Sequence, residues 1–136
     1  MNATTVQWIG GKKFVGIDST DHSVVLSPRD ENVGMRPSEL LLVALGSCTA
    51  VDIVDILTKK RMPLASLKIS VTGEQDAEPP WAFRKINIKY AVSGKNLTED
   101  DVRKTIQLSE EKYCSVAATI RGVAEITTEF EIIPIE

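Results

Sequence analysis

A long stretch without a helix-breaking residue, running from Pro37 to Lys60, constrains the fold of this chain more than any other feature. Proline is tolerated in the first turn of a helix and the early acid Glu39 complements the helix dipole, so the pattern predicts a helix beginning at Pro37. At ~1.5 Å per residue this helix would be about 36 Å long. Its first half is apolar on nearly every face, so we expect a sheet and another helix or a partner chain to cover it.

The rest of the chain alternates short β-prone runs with two weaker helical patterns. The run 83–94 alternates cleanly, which predicts a strand with one buried face carrying Ile86, Ile88, Tyr90 and Val92. The full prediction is strands at 6–9, 14–17, 23–26, 67–73, 83–94 and 123–135, and helices at 37–60, 98–112 and 115–121. This order, βββ, long α, ββ, α, short α, β, predicts an α+β fold in a single domain covering residues 1–136.

Composition excludes several classes of partner. The chain has 136 residues, 43% hydrophobic and 26% charged, with a net charge of -3, which is typical of one globular domain without a basic surface for nucleic acid. The longest uncharged apolar run, from Leu40 to Val51, is shorter than the ~20 residues that cross a bilayer, so no membrane association is expected. The N-terminal residues lack the pattern of a signal peptide, which predicts a cytoplasmic protein.

The chain has two cysteines and one histidine. A structural zinc site needs four Cys or His ligands, so Cys48, Cys114 and His22 make a metal site improbable. A Ser-His-Asp hydrolase would depend on His22, which lies in a turn-like Asp21-His22-Ser23 segment without a nucleophile-elbow motif. The two thiols therefore remain as the candidates for chemistry.

Each cysteine has both a structural and a chemical interpretation. Cys48 lies in the middle of the long helix, where a free cysteine often serves as a small buried hydrophobe. Activation of Cys48 would require a cation, from Arg36, Lys12, Lys13 or a partner chain. Cys114 precedes the short helix, and a helix N-terminus favours the thiolate, so Cys114 is the better-placed thiol on local grounds. A buried junction residue is the alternative.

Helix geometry adds two acids to the surroundings of Cys48. At about 100° per residue, Asp52 and Asp55 share its helical stripe, whereas Glu39 emerges on the opposite side of an ideal helix. Because acids disfavour a thiolate, the stripe itself supplies no activation.

Two motifs resemble the OsmC/Ohr family, and within it the YhfA-like branch. They are the segment PSELLLVALGSCTAVD at 37–52 and KYCSVA at 112–117. The early segments Gly10-Gly11 and Phe14-Val15-Gly16 are also similar, so the resemblance covers essentially the whole chain.

The resemblance implies an OsmC-like fold in an intertwined homodimer, with active sites at the subunit interface. It implies a thiol-dependent peroxidase of oxidative-stress defence that reduces organic hydroperoxides or hydrogen peroxide. Cys48 would be the peroxidatic thiol and Cys114 the resolving thiol, linked by a disulfide after oxidation. A lipoyl-type dithiol would be the reductant, and no metal or organic cofactor is implied.

The chain departs from the family pattern at two supporting positions. Peroxidase members carry a Glu ten residues before the first cysteine and an Arg in the N-terminal strands. Here position 38 is Ser, the acid is Glu39, and the N-terminal strands contain only lysines. We hypothesise that Arg36 beside Glu39 substitutes. The alternative function is a non-catalytic OsmC-like protein whose interface cleft binds a small hydrophobic or acyl-like ligand.

Overall fold

The computed structural model describes residues 3–135 and confirms the mixed α+β architecture. Its elements follow the predicted order: β1 (Thr5–Trp8), β2 (Phe14–Ile17), β3 (Ser23–Leu26), α1 (Pro37–Lys59), β4 (Leu64–Gln75), β5 (Phe83–Gly94), α2 (Glu99–Leu108), a π-helical turn (Ser109–Tyr113), α3 (Ser115–Ile120) and β6 (Glu125–Ile132). The chain gathers into two compact units, Met1–Leu41 and Leu42–Glu136, and α1 begins in the first and continues into the second. The single-domain assignment stays a prediction.

The first unit contains a three-stranded antiparallel sheet in the order β1-β2-β3. The bounds of β2 and β3 are those expected from their β-branched and aromatic runs, and β1 begins one residue earlier than predicted. After β3 the chain turns back, and Leu26 forms an isolated parallel bridge with Met35 immediately before α1.

The second unit is built on a three-stranded sheet in the order β4-β5-β6. The central strand β5 pairs antiparallel with β4 and parallel with β6. The alternation predicted for β5 is confirmed, because Ile86, Ile88, Tyr90 and Val92 are all essentially inaccessible to solvent. These side chains form the floor of the hydrophobic core, and the helices of the unit cover it.

One stripe of α1 is buried in the second unit. It consists of Leu45, Thr49, Ile53 and Leu57, spaced four residues apart as a helix face requires, together with Gly46 beside Leu45. Gly46 permits the close approach of α1 to β4, since a Cβ atom there would lie 3.1 Å from the Val71 side chain. The helix thus rests directly on the sheet, and this contact fixes the position of the helical residues around it.

The other side of α1 stays exposed in the single chain. Val43, Val51 and Val54 are each about half exposed or more, with relative accessibilities of 48%, 69% and 47%. By length and mean hydropathy (2.1 over its most apolar window) α1 also meets the composition criterion for a membrane span, which core helices of globular proteins meet equally. Because one stripe of α1 is buried on the sheet, we interpret α1 as a core helix that also has a second apolar face.

The segment after β5 returns across the sheet in three pieces. Thr98 caps α2, with its hydroxyl oxygen accepting the Asp101 N–H at 3.1 Å, and Val102 and Ile106 face the core. The predicted continuation to about residue 112 is helical, but from Ser109 onward the hydrogen bonds widen to the π pattern. This turn delivers the chain to Cys114 and the start of α3.

Candidate thiol site

Cys48 lies on α1 at the edge of the buried stripe, directly before the fully buried Thr49. Its side chain is half-buried and packs against the hydrophobic core of the second unit. The thiol is free, as is that of Cys114. The helix therefore presents Cys48 as a partly accessible thiol on a rigid support.

Cys114 joins the π-helical turn to α3. Its backbone N–H donates to the Ser109 carbonyl at 2.7 Å, which closes the π turn, and its Sγ accepts the Ala117 N–H at 3.3 Å as the cap of α3. Only 2% of the residue is exposed. The predicted position at a helix N-terminus is confirmed, and it is a buried one.

The structure brings the two thiols together. Cys114 belongs to the hydrophobic core against which Cys48 packs, and the two thiols are close enough that Cys48 influences the pKa of Cys114. Burial raises the pKa of Cys114 to about 11, and the contact with Cys48 adds to this, whereas the Ala117 N–H lowers the pKa. The expectation that its position at a helix N-terminus favours the Cys114 thiolate is thus wrong in its net effect, because desolvation outweighs the helix N-terminus. At neutral pH Cys114 is a neutral thiol.

The other residues expected at the site lie in the first unit. Arg36 and Glu39 form a two-point ion pair, with Nη2–Oε1 at 2.8 Å and Nε–Oε2 at 3.0 Å. The Arg36 guanidinium lowers the pKa of Glu39, and Glu39 raises the pKa of Arg36. Lys12, another candidate cation, pairs with Asp30. Arg36 and Glu39 therefore act as one paired unit.

His22 does not form a hydrolase relay. It is exposed in the turn between β2 and β3, where its Nδ1 meets the Thr20 hydroxyl at 2.7 Å and lies 3.9 Å from the Asp18 carboxylate. A catalytic triad requires the nucleophile and the acid on different ring nitrogens, whereas both groups here face Nδ1. Within residues 3–135 no three His, Cys, Asp or Glu side chains are arranged to hold a metal ion.

Two polar contacts around Cys114 were not predicted. Ser109, fully buried, donates its hydroxyl to Asp52 of α1 at 2.8 Å. Glu110, only 8% exposed, accepts hydrogen bonds from Tyr90 at 2.7 Å and from Thr128 at 2.7 and 3.0 Å. Burial and the hydrogen bond to Glu110 raise the pKa of Tyr90 well above its ordinary value, so its hydroxyl remains a donor.

The sequence contains a signal for these contacts. The buried spacing of α2, Val102 and Ile106, continues onto Ser109 and Glu110, which places polar side chains on an apolar face. Tyr90 occupies an inward position of β5, and a buried tyrosine hydroxyl requires a hydrogen-bond partner. Following the buried positions of the predicted 98–112 helix as far as Glu110 would have suggested this pairing.

The fold and the site together define a class of protein: a mixed α+β chain with two free thiols close together, one on a long core helix and one at the start of a short helix. The family model described as OsmC-like protein matches residues 29–129. The chain therefore belongs to the OsmC-like family, as the two cysteine motifs indicated.

The similarity to known proteins extends over nearly the entire chain. The chain is 33% identical to protein YhfA of Escherichia coli K12 over 128 residues, which cover 94% of this chain and 96% of YhfA. It is 30% identical to a hypothetical protein from Aquifex aeolicus VF5, with a TM-score of 0.89 over 100% of this chain and 98% of that one. The organic hydroperoxide resistance protein OhrB of Bacillus subtilis shares the fold, with a TM-score of 0.64 and 14% identity over 96% of this chain and 98% of OhrB.

The pH dependence of Cys114 provides a direct test of its burial. In a Cys48→Ser variant, we expect the rate of Cys114 alkylation by iodoacetamide to rise with a midpoint above 9.0, because burial, the largest cause, persists without Cys48. The unfolded chain in guanidinium should show the ordinary value of about 8.5. The folded state holds this proton more tightly, so the associated stability is present below the unfolded pKa and is lost as the pH rises through the folded value. A folded-state midpoint at or below the unfolded one would contradict this.

Proposed function

We propose that this protein is a cytoplasmic thiol-dependent peroxidase that reduces organic hydroperoxides or hydrogen peroxide in oxidative-stress defence. Cys48 is the peroxidatic thiol and Cys114 the resolving thiol. The observation that carries the proposal is the unequal accessibility of two adjacent thiols, one half-buried and the other 2% exposed. A peroxide reaches the first, and the second reacts only with a group already formed on the first.

The chemistry proceeds in three steps. The Cys48 thiolate attacks the terminal peroxide oxygen, the O–O bond breaks, and the products are an alcohol or water and the Cys48 sulfenic acid. The Cys114 thiol then displaces the sulfenic hydroxyl, which leaves as water with the thiol proton, and the disulfide forms. A dithiol reductant, lipoyl-type by resemblance, exchanges with this disulfide and restores both thiols. No step requires a metal or an organic cofactor.

The family supports this proposal at a coarser level. OsmC-like relatives include proteins named for organic hydroperoxide resistance, such as OhrB of Bacillus subtilis. That resemblance, at 14% identity, concerns the fold, so the assignment of chemistry to this chain depends on its own thiol pair. The family pattern places two cysteines where this chain has Cys48 and Cys114, and the proximity of these two thiols in the fold supports the proposal.

One equivalent of cumene hydroperoxide tests the activity. We expect the intact mass of the reduced protein to fall by about two mass units per chain, because a disulfide replaces two thiols. A Cys48→Ser variant should remain unchanged. A Cys114→Ser variant should instead gain about 16 mass units as a sulfenic acid that dimedone traps.

A different result would indicate the alternative function. If both native thiols remain free after this treatment and react only slowly with a thiol reagent, the cysteines serve packing alone. The chain would then be a non-catalytic OsmC-like protein that binds a small hydrophobic or acyl-like ligand.

We also assign Arg36 and Glu39 to the activation of Cys48, in place of the Glu and Arg that the family pattern puts elsewhere. The support is their mutual two-point ion pair, which orients a guanidinium through a carboxylate. Neither Lys12, paired with Asp30, nor position 38, a serine, supplies this combination.

Arg36→Ala should therefore slow the oxidation of Cys48 by cumene hydroperoxide by about tenfold or more, since the thiolate loses its stabilising charge. Arg84→Ala, which removes the same charge from another exposed arginine–carboxylate pair, Arg84–Asp76, is the control and should change the rate by less than twofold. An Arg36→Ala rate equal to that of wild type would remove Arg36 from the site.

We further propose that the protein is a homodimer, as OsmC-like proteins typically are. The exposed valines of α1 support this, because they form an apolar stripe on a helix whose other face is already covered by the sheet. Single exposed apolar residues are common on monomers, but several of them on the exposed side of one helix are typical of an association surface.

Val51→Glu tests the dimer, because it places a charge at the most exposed position of this stripe. Sedimentation equilibrium should give about twice the chain mass of 14.9 kDa for wild type and a shift toward 14.9 kDa for the variant. Val123→Glu is the matched control, an equally exposed valine (67%) between α3 and β6, and should leave the mass unchanged. Wild-type protein sedimenting as a monomer would contradict the proposal.

A further inference from the structure

A buried carboxylate, that of Glu110, lies four residues before Cys114 and has no role in the chemistry proposed above. Glu110 is 8% exposed and is held by two hydroxyls, those of Tyr90 and Thr128. Among residues 3–135, no lysine, arginine or histidine forms an ion pair with it. Burying a carboxylate is costly even when it is hydrogen-bonded, and an apolar side chain of similar volume is often neutral or stabilising at such a position. Glu110 satisfies the buried Tyr90 hydroxyl, and we ask whether it has a second role beside this structural one.

The position of Glu110 in the fold indicates its second role. Its oxygens bind Tyr90 on β5 and Thr128 on β6, two neighbouring strands of the second sheet. We call Glu110, Tyr90 and Thr128 the carboxylate clasp. The clasp fastens the first residues of the π-helical turn to the rigid floor of the core.

The same turn carries Cys114 at its other end. The Ser109 carbonyl, adjacent to Glu110, accepts the N–H of Cys114 at 2.7 Å. The Ser109 hydroxyl binds Asp52 on the helix of Cys48, and Arg121 Nη2 donates to the Glu110 carbonyl at 3.0 Å. A displacement of Glu110 from the sheet would therefore move Cys114 relative to Cys48.

We propose that Glu110 is a positioning residue of the thiol site: the carboxylate clasp holds Cys114 against Cys48 and thereby sets how readily the two thiols form a disulfide. Disulfide geometry is narrow, with Cα atoms usually 4.4–6.8 Å apart, so small displacements of one sulfur reduce its effective concentration at the other. This inference deepens the proposed function and rests on it for the identity of the oxidant.

A chemical oxidant tests the clasp without peroxide. In the exchange, two protein thiols and one glutathione disulfide give the protein disulfide and two molecules of glutathione, so atoms and electrons balance. The equilibrium constant of this reaction reports the effective concentration of Cys114 at Cys48. It is measured by acid quench, alkylation of the remaining thiols and intact mass.

Thr128→Val removes one donor of the clasp and preserves side-chain shape, and Thr128→Ser restores the hydroxyl. We expect Thr128→Val to lower the equilibrium constant by about tenfold, equivalent to about 30 mV for this two-electron couple, and Thr128→Ser to remain within twofold of wild type. Glu110→Met should show at least the same loss. Glu111→Met, the same substitution at the exposed neighbouring acid, is the control and should behave as wild type.

Thermal unfolding separates positioning from folding. Both Thr128 variants are compared at a temperature at which circular dichroism shows each to be folded, so the comparison holds even if Glu110→Met does not fold. Equilibrium constants of Thr128→Val and Thr128→Ser within twofold of each other would overturn the inference. A merely structural role would lower the melting temperature of Thr128→Val and leave this ratio unchanged.

An experiment with peroxide distinguishes failure of the proposed peroxidase activity from failure of the carboxylate clasp. If no sulfenic acid forms in Cys114→Ser with cumene hydroperoxide, the proposed peroxidase fails, while the glutathione equilibrium still decides on the clasp. If the sulfenic acid forms but Thr128→Val closes the disulfide as fast as Thr128→Ser, the peroxidase stands and the clasp is rejected. Closure that is about tenfold slower in Thr128→Val supports both.

Discussion

The packing of the buried stripe of α1 on the sheet of the second unit is the contact on which the rest of that unit depends. Leu45, Ile53 and Leu57 are fully removed from solvent there, each contributing on the order of 2 kcal/mol of hydrophobic free energy. Gly46 sets the distance, because a side chain would meet Val71. With the helix fixed at this distance, Cys48 at the edge of the stripe has one position relative to the sheet, and the thiol site can be built against it.

The two thiols differ because two physical effects compete at Cys114. A helix N-terminus stabilises a thiolate by a modest amount that falls off within one turn, and the Ala117 N–H provides this contribution. Desolvation in the core acts against every charged form of the group, and it is the larger effect here. Reactivity at Cys114 therefore depends less on its own acidity than on a partner group formed within contact distance. This is what a resolving thiol requires and a peroxidatic thiol does not.

Much of the fold could be predicted from periodicity. The bounds of β5 and the start of α1 agree with the sequence pattern, because a strict alternation and an initial proline are local signals. The parallel pairing of β6 with β5 could not be predicted, since pairing of strands far apart in sequence leaves no local pattern. The π turn was missed for a related reason: a single widened turn preserves helical composition and changes only the register of its hydrogen bonds.

Part of the thiol site could likewise be predicted from the sequence, and part of it could not. Cys48 and Cys114 could be predicted as candidates from residue type and motif, whereas their proximity is a product of the tertiary fold. The carboxylate clasp was not identified because Glu110 lies within a run of charged residues that reads as a solvated surface. The spacing of the buried residues of α2 continues onto Ser109 and Glu110 but not onto Glu111. Only this spacing distinguishes the buried Glu110 from the exposed Glu111.

The clasp also explains why the position of the second thiol does not depend on helix packing alone. Apolar contacts between a short helix and a sheet tolerate small sliding motions, because dispersion forces have little angular preference. Hydrogen bonds from two hydroxyls on adjacent strands to one carboxylate have a strict geometry, which converts the register of β5 and β6 into the position of the turn. The position of Cys48 is fixed relative to the same sheet, because α1 packs on it. In the proposed clasp, both thiols are therefore positioned by the same sheet, and a fixed sulfur–sulfur separation is what reversible disulfide formation without rearrangement of the core requires.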